Sequence, residues 1–377
     1  MKEEGRKPRI LRYCIIAVYA VLMIIYFYRT AFLDNDLAVH IASSKTVFQQ
    51  RHIYSDTPRR TFMITYPLFH ILTKLVALLC GGNYELGAAI VLTITNLCLI
   101  WLMFRILKSD QEVSDKEWFM VIGLSLIVCL PLLGKMYLPQ CSPTIWHNPT
   151  YIMQKPFSMI VFFLYLDVLE HPDHTRSFWL LSLFCVLSAI AKPVYMIVFL
   201  PAAFLVTVYQ LIRYGKTELN YGIHLLLAVL PVIALLLYQK SLTMDGSVTT
   251  ALGFGTFMHL SWKRSLVAIA AAVFLPFHYT WLYRGKFKDS IMILFAWISY
   301  LAGWFEYFFI YEVEFADGNY SWGYSMAIFL LYFAVYKDLR LQDDSKNKKI
   351  ITAVFMLQIL LGVVYFARML NGGDYSI

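Results

Sequence analysis

Charge is scarce in this sequence. Only 15% of its 377 residues are Asp, Glu, Lys or Arg, while 59% are hydrophobic and the mean hydropathy is +0.61. A soluble domain is about a quarter charged and about half apolar. The deficit runs the whole length, which excludes a soluble domain on a single anchor. Low-complexity linkers and internal repeats are missing as well, so residues 1–377 read as one membrane domain. Cysteine is too sparse and too apolar in context for a framework. Cys14, Cys80, Cys98, Cys129 and Cys185 lie inside apolar runs, where free Cys acts as a small hydrophobe, and only Cys141 lies in a loop. On cysteine usage, no disulfide scaffold and no zinc site are expected. No small-residue cleavage site follows the first apolar run, "MKEEGRKPRILRYCIIAVYAVLMIIYFY", so it reads as a retained span and not a signal peptide. The formal charge of +8 is no nucleic-acid signal, because the basic residues fall in short segments between apolar runs, where they set topology.

What the chain has in abundance is apolar runs and aromatics, the latter at 17%. A helix needs about 20 apolar residues to cross the hydrocarbon. Clear runs lie at about 10–30, 84–106, 117–134, 156–170, 177–191, 194–212, 221–240, 265–283, 289–310, 322–336 and 350–370. The fold class is therefore all-α: a polytopic integral membrane protein of about eleven transmembrane helices. The run 66–80, "YPLFHILTKLVALLC", is short and carries His70 and Lys74. If it crossed, the basic loops would all move outside. If it stays juxtamembrane or re-entrant, nineteen of the 32 Lys and Arg lie on the cytoplasmic side. This places the N-terminus inside and segments 31–83, 135–155, 240–264 and 311–321 on the outer face of the cell membrane.

The hydrogen-bonding residues gather on that face. The first outer segment opens "FLDNDLAVH", with Asp34 and Asp36 one residue apart, and continues through His40, Arg59, Arg60, Tyr66 and His70. Residues 36–50 read as an amphipathic interfacial helix with Leu37, Val39, Ile41 and Val47 toward lipid, and with Asp36 and His40 on one face. One of the two acids can cap this helix; both cannot, because a helix has one cap position. The next segment, "GKMYLPQCSPTIWHNPTYIMQKPF", carries Trp146, His147, Asn148, Thr150 and Lys155. Lys192 lies at an outer turn, Glu306 inside a span, Glu312, Asn319 and Trp322 in or beside the last outer loop, and Arg368 near the outer end of the last span. An intramembrane acid is costly and marks a site. For Arg368, snorkelling to headgroups is the simpler account. The "HPDH" at His171–His174 has ligand types without a third partner and reads as a solvated turn.

Tyr66-Pro67, Gly81-Gly82, Glu85 and the span ending in Arg105 and Lys108 carry a resemblance. A short Tyr/Pro-led helix, a Gly turn, an acid and a basic-ended span, after a first span and an acid-led outer loop, resemble the GT-C superfamily of polytopic glycosyltransferases. Many of its members have two prolines in the short helix; this chain has one. The resemblance implies a GT-C-like module over 1–240, a catalytic first outer loop at 31–83, and variable C-terminal helices over 241–377. It implies a polyprenyl-phosphate sugar donor, with Asp34 or Asp36 as general base.

The chemistry suits the residues independently. An acceptor hydroxyl must lose a proton as it attacks, and a carboxylate takes it. The departing lipid phosphate gains charge, which Arg59, Arg60, Lys155, Lys192 or Arg368 can meet. A single base fits inversion. Trp146, Trp322 and Tyr324 offer faces for a sugar, and His40, Tyr66, His70, His147, Asn148, Glu306, Glu312 and Asn319 offer hydrogen bonds to sugar or acceptor. No cofactor and no resident metal are expected, although the paired acids leave Mg or Mn open. The partners are the lipid-linked sugar, a glycan, lipid or protein acceptor in cell-envelope polysaccharide biosynthesis, and membrane lipids; nucleic acid is excluded. Two alternatives remain: a polymerase or ligase using lipid-diphosphate oligosaccharides, and a lipid or solute transporter.

Overall fold

The computed structural model describes residues 6–33, 35–47, 65–131, 142–214, 219–243, 250–254, 262–287, 290–313 and 320–372. In chain order the elements are α1 (Arg6–Thr30), α2 (Asp36–Thr46), α3 (Leu68–Leu79), α4 (Tyr84–Asp110), α5 (Asp115–Leu126), α6 (Pro149–Glu170), α7 (Thr175–Ala191), α8 (Val194–Tyr214), α9 (Leu219–Thr243), β1 (Thr250–Leu252), α10 (Trp262–Leu282), α11 (Arg284–Phe287), α12 (Ile291–Phe309), β2 (Ile310–Glu312), α13 (Ser321–Leu341) and α14 (Lys346–Leu370). Among the described residues, eight helices are long and apolar enough to cross a membrane: α1, α4, α6, α8, α9, α10, α12 and α14. The runs 177–191 and 322–336 also form helices, α7 and α13. The run 117–134 is helical only to Leu126. The run 66–80 forms α3, whose 12 residues reach about 18 Å, too short to span. The all-α expectation needs one small amendment: β1 pairs antiparallel with β2, Ala251 opposite Tyr311.

Local sequence explains the helix starts. Asn35, Asn83, Ser114, Asn148, Ser290 and Ser345 each accept a hydrogen bond from a first-turn amide of the helix that follows. Ser114 and Glu117 complete a capping box. Between α3 and α4 the chain reverses on Gly81 and Gly82, at φ +66 and +87, a region that disfavours any side chain.

The centre of the bundle is α13. Every residue from 321 to 336 is buried, as expected of a helix that is apolar all round. It packs against α12 and α8 at glycines. A Cβ at Gly303 would lie 2.9 Å from Tyr324 Cα, and one at Gly323 would lie 2.8 Å from the Val194 carbonyl oxygen. Small residues of this kind let membrane helices approach closely. At the end of the bundle where α13 finishes, Lys337 pairs with Asp110 and Arg340 pairs with Glu117 at 2.7 Å. Arg340 also donates to the Leu107 carbonyl, which pins α13 to α4 and α5.

The break after α5 is filled by α14. A Cβ at Gly362 would overlap the Leu126 carbonyl oxygen, and Val128 N–H donates to the Gln358 carbonyl at 3.5 Å. Gly362→Val must therefore push α14 away from this segment, while Gly285 faces open space. We expect Gly362→Val to destabilise the protein by about 1–3 kcal/mol, read as a lower thermal midpoint in detergent, with Gly285→Ala unchanged. Equal midpoints for the two variants would contradict this packing.

Candidate functional site

The site lies at the end of the bundle where α1 and α7 finish and α6 begins. Asn35 forms the turn from α1 to α2: its Nδ2 donates to the Thr30 carbonyl at 3.0 Å, and its Oδ1 accepts from Ala38 N–H at 3.2 Å. Asn35 therefore takes the single cap position. Asp36 is left in the first helical turn, so of the two readings left open for it, cap or site residue, capping is ruled out. Asp34 lies outside the described residues. The lipid-facing assignment of α2 also fails. Leu37, Ile41 and Val47 are buried and Val39 is half-buried, because α2 packs on α3.

Asn148 connects the parts. Followed by Pro149 at the first helical position, it caps α6. Its Oδ1 accepts from Tyr151 N–H at 2.9 Å, Thr150 Oγ1 at 2.9 Å and Lys192 Nζ at 3.2 Å. Its Nδ2 donates to Asp36 Oδ2 at 3.0 Å. Lys192 is the C-cap of α7, followed by Pro193, which cannot continue the helix. The Lys192 ammonium also donates to Thr150 Oγ1 at 3.2 Å. It lies 5.1 Å from the Trp322 ring centroid and 5.6 Å from that of Tyr66, both within cation–π range. Trp322 in turn meets His147 and Tyr151, at centroid separations of 5.4 and 5.6 Å. Burial pushes the Lys192 ammonium down to about 8, with the Asp36 carboxylate opposing. Burial also pushes His147 down to about 4; Asp36 opposes this and Lys192 adds to it.

A second pair abuts the first. His40 Nδ1 and His70 Nε2 are 3.0 Å apart and buried, joining α2 to α3. Burial lowers His40 well below its ordinary value, with His70 and Lys192 adding. Burial takes His70 down to about 4, against a hydrogen bond with the Tyr66 backbone. Glu85, the acid of the Gly-turn motif, pairs with Lys45 of α2 at 3.2 Å.

The structure thus brings Asp36, Tyr66, His147, Asn148, Lys192 and Trp322 together, with His40 and His70 alongside. Other predicted residues have different surroundings. Trp146 is enclosed by Tyr26, Phe27 and Phe366, and Tyr324 is buried and stacked on Tyr307; neither ring face is open to a sugar. Lys155 is buried, donates to the Pro143 carbonyl at 3.0 Å and lies 4.4 Å from the Phe329 ring centroid. These contacts anchor the loop before α6. Arg368 is exposed on the last turn of α14. Glu306 is buried beside Gly323 and the start of α8, and neither of its carboxylate oxygens has a hydrogen-bond partner among the described residues. Glu312 belongs to β2. Arg59, Arg60 and Asn319 lie outside the described residues, as does Cys141.

Sequence reasoning missed two amides. Gln154 donates to Ser188 Oγ at 3.3 Å and to the Lys192 carbonyl. Gln239 donates to the Ala189 carbonyl at 3.1 Å and to the Thr65 carbonyl. Both fix the backbone around Lys192, and the available signal was an amide inside an apolar run. No family model, curated protein or solved structure matches the chain.

The buried imidazoles give a pH prediction. In the unfolded chain they take up protons near 6.5, while in the fold His70 and His147 do so only near 4. Between about 4 and 6.5 the unfolded state binds more protons, so stability falls as pH falls through that window. The thermal midpoint of the detergent-solubilised protein should drop from pH 7.5 to pH 5, and less steeply for His70→Phe. Parallel slopes for the two proteins would contradict burial of a neutral His70.

Proposed function

We propose that the chain is a membrane glycosyltransferase of the GT-C type, moving a sugar from a polyprenyl-phosphate donor to an acceptor hydroxyl at the outer face. The observation that carries this reading is the Asp36–Asn148–Lys192 arrangement: one amide holds a carboxylate and a buried ammonium side by side. In the proposed step Asp36 takes the acceptor hydroxyl proton and the acceptor oxygen attacks the anomeric carbon. The bond from that carbon to the phosphate oxygen breaks, and its electron pair leaves on the polyprenyl phosphate. Lys192 meets the charge that develops there. Asp36 acts alone, which fits inversion. Half-buried Tyr66 offers a ring face beside the ammonium, and neutral His147 offers a hydrogen bond to sugar or acceptor.

The distribution of charge supports the orientation. Arg105, Lys108, Arg176, Arg213, Arg284, Lys337, Arg340 and Lys346 lie at the end of the bundle away from Asp36, or in the turns there. The positive-inside rule makes that end cytoplasmic. On this reading eleven segments cross, α3 does not, and the site faces out. Transport is the second reading, favoured by the buried Glu306 carboxylate.

The test is sugar transfer by protein reconstituted in lipid, with a panel of polyprenyl-phosphate sugars and a cell-envelope extract as acceptor. Asp36→Asn should lower transfer by about 10²–10⁴-fold with donor binding retained. Lys192→Ala should weaken donor binding, and Asp34→Asn should retain transfer. Wild-type donor binding should weaken as pH rises through about 8, where Lys192 loses its proton. Absence of both donor binding and transfer by wild type would overturn the reading in favour of transport.

A further inference from the structure

At the other end of the α6–α7 hairpin, the His171–His174 turn that the sequence presented as solvated meets a third side chain, Asp167. We propose that Asp167, His171 and His174 bind a divalent transition-metal ion of the zinc class. Asp167 lies in the last turn of α6, His171 is the C-cap of that helix, and His174 is the N-cap of α7. His171 Nδ1 is 3.2 Å from Asp167 Oδ1, and His174 Nδ1 is 3.9 Å from Asp167 Oδ2. One ligand atom from each of the three lies within 4.8 Å of the others. Tetrahedral zinc, with bonds of about 2.0–2.1 Å, holds its ligand atoms about 3.4 Å apart, so the three must draw together from separations of up to 4.8 Å to enclose the ion.

The turn is already shaped for this. His171 N–H donates to the Asp167 carbonyl at 2.8 Å, His174 N–H to the His171 carbonyl at 3.0 Å, and Ser177 N–H to the His174 carbonyl at 2.9 Å. Pro172 fixes one φ within the turn. The imidazoles stack with centroids 4.7 Å apart and an interplanar angle of 11°, both with Nδ1 on the side of the Asp167 carboxylate; one ring must turn out of the stack for both lone pairs to meet one ion. Ser177 Oγ donates to Asp167 Oδ2, the kind of outer contact that orients a ligating carboxylate.

The donor set selects the ion. Two imidazoles and one carboxylate suit zinc, nickel or cobalt, whereas magnesium and calcium prefer oxygen alone. All three side chains are partly or fully exposed, so an ion can enter and a fourth position remains for water. The ion would tie the end of α6 to the start of α7. This site is independent of the Asp36 cluster, and its test does not use sugar transfer.

The experiment uses the full chain, tag-free, purified in detergent and stripped with chelator. Zinc is titrated in competition with a chromophoric chelator, and the thermal midpoint is followed with and without zinc. Wild type should bind one zinc per chain at this site and unfold at a higher temperature with zinc than without, and magnesium should do neither. His171→Ala/His174→Ala and Asp167→Asn should each weaken zinc binding by about tenfold or more and abolish the thermal shift. Their zinc-free midpoints report whether they still fold. Zinc binding that is equal in wild type and both variants, or absent in wild type, would overturn the proposal.

Discussion

A lysine ammonium enclosed by the end of a helical bundle is an expensive group, and the arrangement around Lys192 answers that cost. The side chain is 5% exposed. An ammonium left unpaired there would neutralise or pull the fold apart. Asn148 Oδ1 and Thr150 Oγ1 accept hydrogen bonds from the Lys192 ammonium. The rings of Trp322 and Tyr66 offer their negative faces. Asp36 supplies opposite charge through the Asn148 amide. These partners come from the starts of α2, α6 and α13 and from the link before α3, so one charge fixes where four segments end up. Buried charges of this kind are poor stabilisers compared with apolar packing.

Lys155 makes the contrast. It too is buried, only a few residues along α6, yet its ammonium faces the Phe329 and Tyr151 rings and the Pro143 carbonyl. These groups satisfy it structurally. Lys192 has a carboxylate and an imidazole, Asp36 and His147, within electrostatic reach. Lys192 is held by side-chain oxygens, whereas a lysine held by a backbone carbonyl is committed to its loop. Both were equal candidates in the sequence; their surroundings separate them.

The helices were legible because apolar run length maps directly onto membrane thickness, and α3 was legible as a short helix from the length of its apolar run. Within the site, Asp36, Asn148, Lys192 and Trp322 stood out as polar or aromatic residues at one depth. The failures have physical causes. Asn35 lies between the two acids and is as good a cap as either, so the cap could not be assigned by residue type. Leu37 and Ile41 were assigned to lipid because a lipid-facing and a protein-facing apolar side chain look alike in sequence. Trp146 reads as a sugar platform until Tyr26, Phe27 and Phe366 enclose it. Asp167 escaped notice because it sits within an apolar run, four and seven residues before the two histidines it approaches.

The position of Trp322 shows how far the site depends on packing outside it. The next residue is Gly323, where a Cβ would come within 2.6 Å of Glu306 Oε2 and 2.8 Å of the Val194 carbonyl oxygen. Any side chain there would push the first turn of α13 away from α8 and α12. Lys192 immediately precedes Pro193 and α8, so the same displacement would lift the Trp322 ring from the ammonium. The glycine makes room for the helix, the helix brings the indole, and the indole covers the charge. The acid at Glu306 occupies the space that a methyl group would need, so the two features that look unrelated in the sequence, a buried acid and a helix-starting glycine, share one volume at the edge of the site.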